Sequence, residues 1–255
     1  MKQHYLAPTL FGIIGTGLLA LSACGGGDNN STPPLAGAFR IANGITDSIG
    51  LDAALSNVSS FSGISFGTAS GIDNPPTGSY KTQLTSNSQT FTVNNTSIDH
   101  NNVTTVFAAG QIGNGSENGF PVEENLQAPN SGQFNVQFVA DAASRTGPIN
   151  FFLITPGSGI SGKTANATVE YPFDSAPTSP AFSATTGVAT GTYEIVVTNA
   201  LGVTLFDSGP KGVALPTAGN VLQIAAIDTA SGSNPISVLV LDNNGGNNDL
   251  LDGAN

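Results

Sequence analysis

The chain states nearly the same pattern twice, and the pattern is one of strands. Gly37-Ala-Phe39-Arg-Ile41 returns as Gly132-Gln-Phe134-Asn-Val136, and Gly78-Ser-Tyr80 returns as Gly191-Thr-Tyr193. Thr104 to Ala109 returns as Asn220 to Ala226, and Phe120 to Asn125 corresponds to Ile236 to Asp242 as a closing strand. Self-similarity of this kind fixes architecture before any single residue is weighed, because each copy must be one structural unit. Gly37 to Tyr80 spans 43 positions and Gly132 to Tyr193 spans 61, so the second copy carries 18 more between its early and middle strands.

Within each copy the apolar residues recur at period two. Phe134, Val136 and Phe138 share one face of an extended segment while Gln133, Asn135 and Gln137 share the other, which predicts a half-buried strand. Tyr193, Ile195 and Val197 alternate in the same sense, less cleanly, and Ile236 to Leu241 is a continuous apolar run suited to the centre of a sheet. Sustained apolar spacing at three and four residues is missing, and Gly or Pro interrupts almost every ten. The Gly-[Ser/Thr]-Tyr element has a physical reason: glycine makes a tight turn, and the tyrosine then buries its ring while its hydroxyl finds a backbone partner. Two copies of about a hundred residues, dense in turn signals, predict an all-β protein of two tandem immunoglobulin-like β-sandwich domains. We place them at residues 36–128 and 129–243, followed by a polar C-terminal tail at 244–255. The chain has one cysteine and no tryptophan, so the Cys/Trp/Cys core of antibody-type domains is absent. Apolar burial must therefore stabilise the fold unaided by disulfides.

That single cysteine, Cys24, closes Leu21-Ser-Ala-Cys24. Lys2 precedes an apolar run from Leu10 to Leu21, the layout of a secretory signal over residues 1–23. The run is too short to span a bilayer. The last four residues resemble the lipobox of bacterial lipoproteins, which implies that Cys24 is acylated, with palmitate-type chains, and becomes the first mature residue. Residues 24–35, rich in Gly, Asn and Pro, predict a flexible tether. Gly25 after the cysteine, by similarity to Gram-negative sorting behaviour, implies the outer membrane. An ordinary cleaved signal with an incidental cysteine is the alternative.

Charge narrows the partners. The chain carries 17 Asp+Glu against 6 Lys+Arg, a net charge of −11. Losing residues 1–23 would remove Lys2 and no acid, leaving it one unit more negative. That argues against nucleic acid, whose binding needs basic groups on phosphates. It also argues against an electrostatic grip on an anionic membrane, so a lipid would have to anchor the chain.

The strand motifs together resemble a known family, the domain of unknown function 4397, which occurs in tandem on bacterial lipoproteins and surface proteins. The second copy carries the resemblance best, through Phe134 to Ala143, Pro148 to Ile154, Tyr171-Pro-Phe173 and Ala189 to Val197. In the first copy Ser65 to Gly71 and Gly78-Ser-Tyr80 occupy the matching places. The family's early loop has a His or Ser before Asp-Ala-Pro, from which Ala140 to Pro148 departs. The resemblance implies a β-sandwich and an exported location, and it carries over no catalytic residues.

Three stretches imitate chemistry. Gly157-Ser-Gly-Ile-Ser-Gly162-Lys163-Thr164 fits the phosphate-loop pattern, but such a loop must run into a helix whose N-terminus faces the phosphate. Strand formers closed by Pro172 follow instead, which predicts a hairpin excursion. Gly63-Ile-Ser65-Phe-Gly67 fits a hydrolase elbow, with His100 beside Asp99 as the only histidine after the signal. The expected fold has no strand-to-helix turn there, so we read a turn between strands. Asp242, Asp249 and Asp252 offer oxygens for calcium without the bidentate glutamate of an EF-hand, and a frayed polar terminus is the simpler reading. The sequence thus predicts a non-enzymatic, lipid-anchored envelope protein without cofactor or metal. Its partners would be the membrane through acylated Cys24 and a protein or glycan at the surface. A periplasmic or surface module for a small ligand or glycan is the second reading, and a nucleotide-binding or hydrolytic enzyme the remote third.

Overall fold

A computed structural model describes residues 36–174, 177–215, 220–230, 235–243 and 248–253. Residues 1–35, and with them Cys24 and the expected signal and tether, lie outside the described residues. The described residues belong to one compact unit, residues 34–255, and their regular structure is β apart from one 3₁₀ turn at Ile112–Asn114.

The first module runs β1 (Ala38–Ile45), β2 (Leu51–Leu55), β3 (Ser59–Ile64), β4 (Thr68–Ala69), β5 (Gly78–Ser86), β6 (Gln89–Ile98), β7 (Asn102–Gly110) and β8 (Asn118–Asn125). These form an inner sheet in the order β4-β1-β7-β8 and an outer sheet in the order β3-β2-β5-β6. The second module runs β9 (Gln133–Asp141), β10 (Ile149–Ile154), β11 (Ala167–Val169), β12 (Thr186–Ala189), β13 (Thr192–Asn199), β14 (Thr204–Asp207), β15 (Val213–Ala214), β16 (Val221–Asp228), β17 (Ile236–Asp242) and β18 (Asn248–Leu251). Its inner sheet is ordered β12-β9-β16-β17-β18, and its outer sheet β11-β10-β13-β14, with β15 paired to β13. Apart from β15 and β18, which the second module adds, the two strand orders correspond, so the internal repeat is a repeat of topology. In each module the first strand pairs in parallel with a late one, β1 with β7 and β9 with β16, and the other ladders are antiparallel.

The tyrosines behave as their motif requires. Tyr80 donates its hydroxyl to Pro76 O at 2.8 Å and Tyr193 donates to Ala189 O at 2.7 Å, each reaching four residues back. The extra residues of the second copy fall mainly in the connections flanking β11. Residues 155–166 fold back over the outer face of β10 and β13, where Ile160 and Ala165 cover Phe152, Ile154 and Val196. That cover explains why β13 alternates poorly, since both of its faces are buried.

The modules pack inner sheet against inner sheet, giving four layers and three cores. Phe39, Ile41, Leu84 and Val106 fill the first module. Phe134, Phe138, Ile224 and Val238 fill the second. Phe107, Phe120, Val139, Ala225 and Leu239 fill the space between. Successive residues of one strand therefore serve different cores: Val106 points into its own module and Phe107 into the junction, as do Phe138 and Val139, or Val238 and Leu239. Period-two geometry with apolar partners on both sides produces these unbroken apolar runs. Residues 248–251 depart from the expected polar tail. They add β18 to β17, with Val238 opposite Leu251 and Leu239 opposite Leu250. Leu251 packs on the second module's core and Leu250 on the junction, so the apolar pair overrides its polar flanks.

Candidate functional site

The four central strands run in the same sense. Arg40 near the start of β1 meets Gln223 near the start of β16, and Gly44 near the end of β1 meets Asp141 and Ile227 at the ends of β9 and β16. The double sandwich therefore has a base, where the chain arrives at Ala36, and a crown, where the loops after β1, β7, β9 and β16 gather.

Toward the base the modules are joined by a buried polar clamp. Arg40 lies between Phe39 and Ile41, which both enter the first module's core, so its own side chain is turned toward the second module. Its Nε donates to Thr105 Oγ1 at 2.9 Å, Nη1 to Asp242 O at 3.0 Å and Nη2 to Gln223 Oε1 at 3.0 Å. Thr105 Oγ1 also donates to Gln223 Oε1, and Gln223 Nε2 donates to Gln137 Oε1. Glu124 Oε2 lies 3.8 Å from Arg40 Nη2 and accepts from Asn243 Nδ2. Burial pulls the Arg40 guanidinium down to about 10 despite Glu124 and Asp242. Burial likewise pushes Glu124 up to about 7 against the opposing pull of Arg40 and Asn243. Both groups are sealed from solvent, so this constellation holds the modules together and does not meet a substrate.

The crown is organised by two aspartates in reciprocal roles. Asp47, after β1, accepts from the amides of Ile112 and Gly113, after β7. Asp228, at the end of β16, accepts from the amide and hydroxyl of Ser144, after β9. Each pins together the loops that follow a parallel strand pair. Between these loops opens a cleft of about 590 Å³, with Thr46, Gln111 and Asn114 on one wall and Ser144, Arg145 and Asp228 on the other. That volume suits a small ligand. Beneath it Asp141 is fully buried at the junction, and neither carboxylate oxygen has a partner among the described residues. An ideal Cβ on Gly44 would stand 2.6 Å from Asp141 Oδ2, so glycine is what admits the carboxyl there. Burial first, and then the charge of Asp228, hold Asp141 well above the usual carboxylate range. Burial also raises the Tyr171 hydroxyl, reinforced by Asp141 and Asp228.

The sequence's chemical look-alikes are placed as follows. Gly157 to Thr164 lies between antiparallel β10 and β11. Gly157 N donates to Glu194 Oε2 at 2.5 Å and Lys163 N to Ile160 O, and no helix follows to face a phosphate. Ser65 is an exposed residue in the turn from β3 to β4, a strand-turn-strand, and its carbonyl accepts from Thr68. His100 is exposed between β6 and β7, with Nδ1 3.2 Å from Ala36 O. Asp242 accepts from Asn220 Nδ2 and Asp252 from Ser237 Oγ, while the Asp249 side chain lies outside the described residues. No group of three or more His, Cys, Asp or Glu able to hold a metal occurs among the described residues. The clamp and the crown were both missed by sequence reasoning. The signal available was a lone Arg or Gln inside strands with no polar face, such as Arg40 in β1 and Gln223 in β16.

No curated protein matches the chain. The family model described as "Domain of unknown function (DUF4397)" matches residues 37–152. The match covers the whole first module and then β9 and most of β10, so it rests chiefly on the copy whose motifs are the weaker by eye. Over residues 37–152 the chain is thus similar to the DUF4397 family, which is the resemblance its strand motifs carry.

Proposed function

We propose that the protein is a non-enzymatic, lipid-anchored component of the bacterial cell envelope whose paired sandwiches bind or space at the surface. The observation that carries this reading is the opposition of base and crown. The chain arrives at Ala36 on the base, twelve positions after Cys24, and the crown cleft opens at the other end. A lipid on Cys24 would leave the crown facing away from the bilayer, on loops held by a rigid double sandwich, where binding residues concentrate. The lipobox-like Leu21 to Cys24 and the polar tether support the anchor, and the acidic surface leaves little else to hold a membrane. Gram-negative sorting, with Gly25 after the cysteine, favours the outer membrane.

A small-ligand module is the second reading, favoured by the cleft itself. Its glycan variant lacks the support of an aromatic platform, since Phe173 is the one aromatic among the exposed large apolar residues described. The test is the mass of the N-terminal peptide from membranes of expressing cells, for the native chain and for Cys24→Ser. Cleavage before Cys24 with acyl chains on it, and their loss together with membrane association in Cys24→Ser, is the expected outcome. A native chain that begins elsewhere or carries no lipid overturns the anchor.

A further inference from the structure

Hydrogen-bond accounting at the crown identifies what its cleft is short of. The acceptors there are consumed internally. Asp228 takes the Ser144 amide and hydroxyl, Gln111 Oε1 takes Asn114 Nδ2, and Asn114 Oδ1 takes the Ser116 amide. Ser144 Oγ takes Arg145 Nε at 3.0 Å, which fixes the guanidinium plane from one side. The donors are left over. Arg145 Nη1 and Nη2 and Gln111 Nε2 have no partner among the described residues, and the buried Thr46 Oγ1 on the same wall has none either. The charge environment sharpens the point. Of 6 Lys+Arg in a chain with 17 Asp+Glu, one arginine is sealed in the clamp, and Arg40–Glu124 is the one ion pair among the described residues. Among the described residues the Arg145 fork has no carboxylate within ion-pair distance, and Asp228 on the same wall is linked to it only through Ser144 Oγ.

We infer that the crown cleft is a binding site for a small ligand bearing an oxyanion, a carboxylate or a phosphate, gripped by the Arg145 guanidinium and assisted by Gln111 Nε2. A guanidinium presents parallel N–H groups that match two oxygens of such an anion. The named side-chain acceptors of the cleft already hold internal donors, whereas the Arg145 fork does not hold an acceptor on its two terminal nitrogens. This rests on the reading of the crown as a binding surface and is independent of the lipid, so Cys24→Ser protein binds as the native chain does.

The test is titration calorimetry on the full chain in detergent with succinate, succinamide and inorganic phosphate as probes. Succinate or phosphate is expected to bind, and succinamide, the uncharged amide counterpart, is not. Arg145→Gln is expected to weaken binding about tenfold to a hundredfold, the scale of a charged hydrogen-bonded pair. Arg145→Lys keeps the charge without the fork and is expected to fall between. Gln111→Leu provides a second variant, expected to weaken binding severalfold should Arg145→Gln fail to fold. Preference for succinate or for phosphate identifies the source of the oxyanion. Absence of binding by both anions, or equal binding by native and Arg145→Gln protein of native circular dichroism, overturns the inference.

Discussion

Replacing Arg40 by methionine tests whether the modules are held by the clamp or merely rest on one another. The variant keeps an unbranched stem of similar reach and loses three hydrogen bonds, to Thr105 Oγ1, Asp242 O and Gln223 Oε1, together with the charge 3.8 Å from Glu124. Stranding one member of a buried pair costs about 3–5 kcal/mol. The pH dependence follows from Glu124, whose carboxyl is raised from 4.5 to about 7 in the folded protein. A raised carboxyl binds its proton more tightly when folded, so its contribution is full below the unfolded value and is lost as pH rises toward the folded one. Arg40 is a force that lowers that folded value. Without it the carboxyl climbs further, and each added unit widens the deficit at alkaline pH by about 1.4 kcal/mol. Urea unfolding followed by circular dichroism at about pH 5 and about pH 8 therefore gives a larger native-minus-variant gap at the higher pH. A gap below about 1 kcal/mol at the higher pH, or one equal at both, refutes the reasoning. Arg40→Met with Glu124→Leu removes the stranded charge, and it recovers much of the loss because apolar replacement of buried pairs is often neutral.

Asp141→Asn removes a carboxyl that burial, and then the charge of Asp228, holds well above the usual carboxylate range. Native stability falls as pH rises from the ordinary carboxylate range toward its raised value, and the variant lacks that fall, so thermal unfolding followed from about pH 4 upward separates the two curves at the alkaline end; parallel curves would sink the assignment. Tyr80→Phe and Tyr193→Phe each lose one hydroxyl-to-carbonyl bond, and each is expected to lower stability by about 1 kcal/mol in chemical denaturation. A loss confined to one of the two would show that the repeated motif does not do the same work in both modules.

The repeat was legible because its motifs are local. Gly78-Ser-Tyr80 and Gly191-Thr-Tyr193 carry turn, ring and hydroxyl within a few residues, and Phe134, Val136 and Phe138 announce a face by spacing alone. The hairpin nature of Gly157 to Thr164 was equally readable, since Thr164 to Pro172 cannot make the helix a phosphate loop requires. The junction was not legible, because nothing local says that Val139 and Phe107 meet. Gln137 looks like an ordinary solvent-facing position, and Arg40 and Gln223, lone polar residues in apolar strands, do not name their partners until two inner sheets are laid together. Leu250 and Leu251 were hidden for the opposite reason, being two apolar residues in a polar run whose burial depends on a strand many residues earlier. At the crown, Asp228 is an unremarkable acid in sequence, and its role depends on a loop 84 residues away.

The clamp also dictates an order of events during synthesis. Arg40 and Thr105 are 65 residues apart, and Arg40 and Asp242 are 202 apart. A chain made from its N-terminus can complete the first sandwich once β8 has emerged, with its first and seventh strands paired. The face that will become the junction, with Phe107, Phe120 and an arginine among them, then stays uncovered until β16 and β17 follow. During that interval the half-made protein presents an apolar sheet with a cation at its centre, a surface prone to wrong partners. Contacts of such long range make folding slow, so production of this protein should depend on how the unfinished first module is shielded until its twin arrives.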